Sequence, residues 1–185
     1  VSLRVAIDPG HGGRDPGAVG YIREIDACYP AAQFLAQELI QRQHEAWFTH
    51  SPPLQGQKMP LAARYNAANA MQADLYVSLH CNAAESEEAL GFEVWTSPGD
   101  TESDEYAEAI LTTVSGVHVR VDRSDGDMDK EAAFAVLTGT HMPAVLVELG
   151  FVTNRQEAQL LRNRNYLRKL AAKVALAIDL HTIRG

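Results

Sequence analysis

Leu3, Val5 and Ile7 alternate with Arg4 and Ala6 before Asp8-Pro9-Gly10 interrupts the run, a pattern that predicts a strand ending in a turn. A glycine-rich loop fills Gly10 to Gly20. Ala32, Leu35, Ala36, Leu39 and Ile40 then recur at helical spacing, and Pro30 is expected in that helix's first turn, where a missing N–H costs least. Glu45 to Thr49 reads as a second strand and Ser51 to Pro60 as a turn-rich loop. The Ala-rich stretch Leu61 to Met71 predicts a helix, and the apolar run Leu75 to Leu79 a third strand. Further strands are expected at Phe92 to Thr96, Val117 to Val121 and Ala144 to Val147. Helices are expected at Tyr106 to Val114, from an Asn154 cap through Leu161, and at Tyr166 to Ile183; Ser124 to Lys130 is polar and reads as a loop.

Strands and helices thus alternate, which predicts an α/β fold: a single domain over residues 1–185, with a mostly parallel twisted sheet of about six strands and helices on both faces. Composition agrees. The chain has 185 residues, 46% hydrophobic and 22% charged, values of a globular domain rather than a disordered or collagen-like chain. The formal net charge of −8 argues against general binding to nucleic acid or to an anionic membrane, and no apolar run is long enough to span a bilayer. Val1 to Val5 contains no signal-peptide core. Two cysteines, Cys28 and Cys81, are too few for a disulfide scaffold, and their pairing is left open.

In open α/β sheets the chemistry gathers beyond the carboxyl ends of the strands. Three such ends are unusual here: Asp8-Pro9-Gly10-His11-Gly12-Gly13, Ser78-Leu79-His80-Cys81-Asn82 and Val147-Glu148-Leu149-Gly150. Two histidines and a carboxylate with an open position suit a catalytic zinc. Glu24, just beyond the glycine-rich loop, adds a second glutamate that the loop can fold back beside His11. One glutamate would be a ligand and the other a general base; spacing alone does not say which. Glu148 follows four apolar residues, and a carboxylate at a buried strand end is costly unless paired or metal-linked.

The segment Asp8 to Ala18 resembles the opening motif of the zinc-dependent N-acetylmuramoyl-L-alanine amidases of the amidase-3 group. Glu24 with Asp26, the helix Leu61 to Asn69, the histidine motif Ala73 to Ala83 and the late motif Pro143 to Asn154 are similar to that family's further motifs, in order along nearly the whole chain. The resemblance implies His11, Glu24 and His80 as ligands of one Zn2+ and Glu148 as the catalytic glutamate; strand alternation returns Asn82 to the His80 face, as a candidate to orient substrate or shape the loop. It implies peptidoglycan as substrate, cleaved between the lactyl group of N-acetylmuramic acid and L-alanine, in an extracytoplasmic autolysin or a phage endolysin. A monomer is expected, with any wall-targeting module outside this chain. Cys28, Ile25, His50 and Thr138 depart from the family's usual asparagine, lysine, arginine and arginine, which touches substrate contacts rather than the reaction. A zinc exopeptidase on a similar sheet and an inactive wall-binding domain are the rival readings; His141 is a further candidate for the cleft wall.

Overall fold

The computed structural model describes residues 1–50, 58–124 and 126–184. Twelve elements follow in chain order: β1 (Arg4–Pro9), α1 (Ile25–Gln41), β2 (Glu45–Phe48), α2 (Leu61–Ala70), β3 (Leu75–Asn82), β4 (Glu93–Thr96), α3 (Glu102–Thr113), β5 (Lys130–Glu131), α4 (Ala135–Thr138), β6 (Ala144–Phe151), α5 (Arg155–Arg162) and α6 (Arg164–Arg184). The strands form one sheet in the order β2-β1-β3-β6-β4-β5. β2, β1, β3 and β6 are mutually parallel, whereas β4 pairs antiparallel with β6 and parallel with β5. The expected α/β sheet is therefore present, with six strands and helices on both faces.

Alternation along each strand sorts the side chains into two layers. Val5, Ile7, Leu75, Val77, Leu79, Val145 and Val147 pack with α1, α3, α5 and α6 in the large core. Ala6, Tyr76, Ala144 and Leu146 face the other way, under Ala68 of α2 and Val136 and Leu137 of α4. α2 and α4 cover this second face, and residues of both line the cavity beside the ends of β1, β3 and β6. Among the described residues, no helix is long and apolar enough to cross a membrane.

Four local expectations are corrected. Val117 to Val121 is not a strand: it contributes one isolated bridge, Phe92 to Val119, and the strand found there instead is Lys130–Glu131, which starts on the last residue of the stretch read as a loop. Residues 51–57 of the expected 51–60 loop, and residue 125 of the 124–130 stretch, lie outside the described residues. α1 begins seven residues earlier than its apolar stripe suggests, so Pro30 sits in its second turn rather than its first. α3 begins at Glu102, ahead of the apolar stripe from Tyr106 and inside the acidic stretch Asp100 to Glu108 that reads as a solvated helix start, with Thr101 and Asp104 forming a reciprocal capping box. The Asn154 cap is as expected, its side chain accepting from the backbone N–H groups of Gln156 and Glu157.

Candidate metal centre and active site

β1 ends in a loop whose shape is fixed from below. His11 has φ 67°, a left-handed conformation that a side-chain-bearing residue adopts only when its surroundings hold it. The holder is Arg64 of α2, itself buried. Its Nη2 donates to the His11 carbonyl at 2.6 Å, and its Nη1 donates to the Pro9 carbonyl at 2.9 Å and to Asp8 Oδ1 at 3.0 Å. Asp8 also accepts from Thr49 Oγ1 at 2.7 Å and Ser78 Oγ at 2.9 Å, with His50 Nδ1 at 3.6 Å. Burial alone would raise the Asp8 carboxyl; His50, Arg64 and Thr49 outweigh it and hold it well below the usual carboxylate range.

Glu24 precedes the first residue of α1 without a side-chain capping bond, and its carboxylate reaches both histidines. Its Oε2 lies 2.9 Å from His11 Nε2 and accepts from Ala18 N at 2.8 Å. Its Oε1 lies 2.8 Å from His80 Nδ1 and accepts from Cys81 N at 3.0 Å. Burial opposes charge on this carboxyl, yet the two histidines more than offset it and hold its pKa far down; the same contact raises His11 against its own burial. Two glycines are required by close approach. A Cβ on Gly17 would stand 2.5 Å from Glu24 Oε2, and one on Gly10 would stand 2.7 Å from His80 Cε1.

One ligand atom each from His11, Glu24 and His80 can be chosen so that all lie within 4.8 Å of one another, a separation one metal ion can bridge. Glu148 stands beside them: in the ladder it is the partner of His80 on one side and of Glu93 on the other. Its Oε2 is buried and has no hydrogen-bond partner among the described residues. Burial, with the charges of Glu24 and Glu93 added, pushes its carboxyl well above the ordinary glutamate range. His11, His80 and Glu148 line a cavity of about 470 Å³, whose walls include Asp15, Met59, Phe134 and Val136. This set fits a metal-assisted hydrolytic site: nitrogen and oxygen donors converge on one point, next to a carboxylate with an unfilled acceptor.

Asn82 is not part of that convergence. Its Nδ2 donates to Glu93 Oε2 at 3.1 Å and its Oδ1 accepts from Ala83 N, so it belongs to a neighbouring cluster. His141 is exposed and lines a different depression, with Ser97, Thr101 and Thr138. Cys28 and Cys81 are free and buried, their Sγ atoms 3.9 Å apart. Sequence reasoning did not single out Asp8 and Arg64 as the support of His11, nor Glu93. Arg64 sits in a quoted helix motif, but its partners lie 53 to 56 residues away, and only the fold joins them.

Comparison with known proteins places these residues in a wider set. The family model described as N-acetylmuramoyl-L-alanine amidase matches residues 5–179. The chain is 34% identical over 175 residues to the N-acetylmuramoyl-L-alanine amidase CwlM of Bacillus licheniformis, covering 91% of this chain and 64% of that protein. It is 32% identical over 176 residues to the endolysin of Bacillus phage SPP1, covering 92% of this chain and 63% of that one. The chain thus spans just under two thirds of these two relatives. Among solved structures, the catalytic domain of the amidase CwlV from Bacillus (Paenibacillus) polymyxa superimposes with a TM-score of 0.86 at 26% identity, over 98% of both chains.

Proposed function

The chain belongs to the amidase-3 family of N-acetylmuramoyl-L-alanine amidases, and on that premise we propose that it is a zinc-dependent hydrolase of peptidoglycan. The bond cleaved is the amide between the lactyl group of N-acetylmuramic acid and the L-alanine of the stem peptide. The observation that carries this reading is the convergence of His11, Glu24 and His80 beside Glu148, whose buried Oε2 lacks a partner.

His11, Glu24 and His80 would hold the ion. When bound, Zn2+ supplies a Lewis acid for the scissile carbonyl and lowers the pKa of a coordinated water. Glu148 is the general base. It accepts the proton of the attacking water at the open acceptor and returns it to the amine nitrogen of the departing L-alanine. Arg64, paired with Asp8, holds the His11 backbone in place. The exopeptidase reading is not favoured: the family match points elsewhere, and the described residues hold one His/Glu/His cluster. A wall substrate implies action outside the cytoplasmic membrane, as an autolysin or as an endolysin like the phage relative.

Glu148→Gln tests the assignment. It should retain one zinc per chain and lose roughly 10²- to 10⁴-fold in kcat on muropeptides. His80→Ala should lose the metal itself. Wild-type turnover by zinc-loaded Glu148→Gln would overturn the role of Glu148.

A further inference from the structure

On the β4 side of Glu148 lies a second charged cluster, built around Glu93. That residue is 1% exposed, yet its carboxylate is surrounded by donors. Oε1 is 2.6 Å from Arg120 Nε and 2.9 Å from Lys130 Nζ; Oε2 accepts from Asn82 Nδ2 and Trp95 Nε1, each at 3.1 Å. Three of these groups, Lys130 Nζ, Asn82 Nδ2 and Trp95 Nε1, hydrogen-bond the carboxylate, and Arg120 Nε pairs with it by charge without a hydrogen bond of its own. The cations are not filled. Lys130 uses one of its three donors on Glu93, and the Arg120 guanidinium presents five in all. Among the described residues, the ion pairs of both cations end on Glu93, so the trio carries one positive charge in excess. Asp122 is close enough to feel Lys130, but it is exposed and accepts from Ser124 N.

Both cations are held in place by ring contacts. Lys130 Nζ stands over Trp95 at 5.2 Å and the Arg120 guanidinium over Phe151 at 5.5 Å. Such contacts restrict side chains before any ligand arrives. Arg120 nevertheless keeps 41% of its side chain exposed. The main cavity differs in this respect: its cations Lys58 and Arg64 are paired one to one with Asp15 and Asp8.

We propose that Arg120 and Lys130 form an anion subsite that takes a free α-carboxylate on the residue following the L-alanine of the stem peptide. The proposal rests on the amidase reading above. Position supports it. Glu93 is the ladder partner of Glu148, and Lys130 sits on the next strand. Neighbouring strands are about 4.8 Å apart, so the cations lie roughly 5–10 Å from the catalytic carboxylate. A peptide advances about 3.3–3.6 Å per residue, which brings the side chain or carboxyl of the next residue into that range. Charge supports it as well. A chain of net charge −8 repels an acidic peptide at long range, so a fixed local cation is needed to seat it.

The test compares two synthetic substrates whose second residue has its γ-carboxyl tied up in a peptide bond, N-acetylmuramoyl-L-alanyl-γ-D-glutamyl-L-lysinamide with a free α-carboxylate and the same compound with that α-carboxyl amidated. With zinc-loaded wild-type protein, the free acid should have about ten- to hundred-fold higher kcat/KM than the amide. The ratio should shrink as salt is raised. Lys130→Met and Arg120→Met should each bring the ratio toward one, chiefly through KM on the acid, with zinc content and circular dichroism unchanged. Equal cleavage of the two substrates by wild-type protein overturns the subsite and needs no variant. A ratio that neither variant alters overturns it too. Failure of both substrates to react overturns the amidase reading, and the subsite with it.

Discussion

His11 is the residue on which the site turns, and its left-handed backbone has a price in stability that the Arg64 and Asp8 contacts offset. Arg64→Lys keeps a buried positive charge but loses the planar fork that spans Asp8, Pro9 and His11. Zinc affinity should fall about 10- to 100-fold, the scale for losing a group that orients a ligand. A competitive chelator titration measures this, and unchanged affinity would show that the fork does not set His11. His11, His80 and Glu148 were legible as candidates because each interrupts an apolar or glycine-rich run with a residue type that has metal or acid–base chemistry, whereas Glu24, between Arg23 and Ile25, took its role from the family resemblance. Asp8 was visible only as part of a turn. Its partners Thr49, Arg64 and Ser78 lie 41, 56 and 70 residues away, and spacing along a chain carries no trace of such a meeting.

Elements were legible where they are long and buried on both faces, as in β1, β3 and β6, whose burial is almost continuous. They were less so where polar atoms define the ends. β5 is two residues long, and its neighbour Asp129 is wholly buried against Thr96. Burial, reinforced by Asp127 and Asp104, lifts the Asp129 carboxyl from 3.8 to about 7. Between about pH 4 and 7 the folded chain therefore holds a proton that the unfolded chain has released, so this group lowers stability as pH rises through that window. Asp129→Asn keeps an acceptor for Thr96 and removes the titration. Its melting temperature should match wild type near pH 4 and exceed it at pH 8; a parallel pH dependence in both proteins would exclude Asp129 as the cause. At α5, Asn154→Ala removes a cap that accepts from two N–H groups and also its own donation to the Glu87 carbonyl. About 1–2 kcal/mol of stability should be lost, measurable by urea titration.

At the scale of the molecule, strand order does what no segment does alone. β1, β3 and β6 are adjacent, so residues 11, 80 and 148 meet at one edge, and the antiparallel β4 brings the start of its strand, Glu93, to the same edge. The alternation of elements made the sheet legible but not the reversal of β4, since direction depends on the connection rather than on the strand's own residues. A metal held between the β1 loop, α1 and β3 ties three separate segments together. Saturating zinc should therefore raise the melting temperature by about 5–10 °C, with EDTA reversing it, for binding at about 100 times Kd. No shift with zinc would place the ion, if bound, outside this junction.

The most direct test is the chemistry of the products. Zinc-loaded protein is incubated with purified peptidoglycan and the digest is read by mass spectrometry and amino-terminal labelling. The account predicts stem peptides with new L-alanine amino termini, and glycan strands of unchanged length bearing free lactyl carboxyls. Cleavage at any other bond, or an inert wall in the presence of protein carrying one zinc per chain, would contradict it.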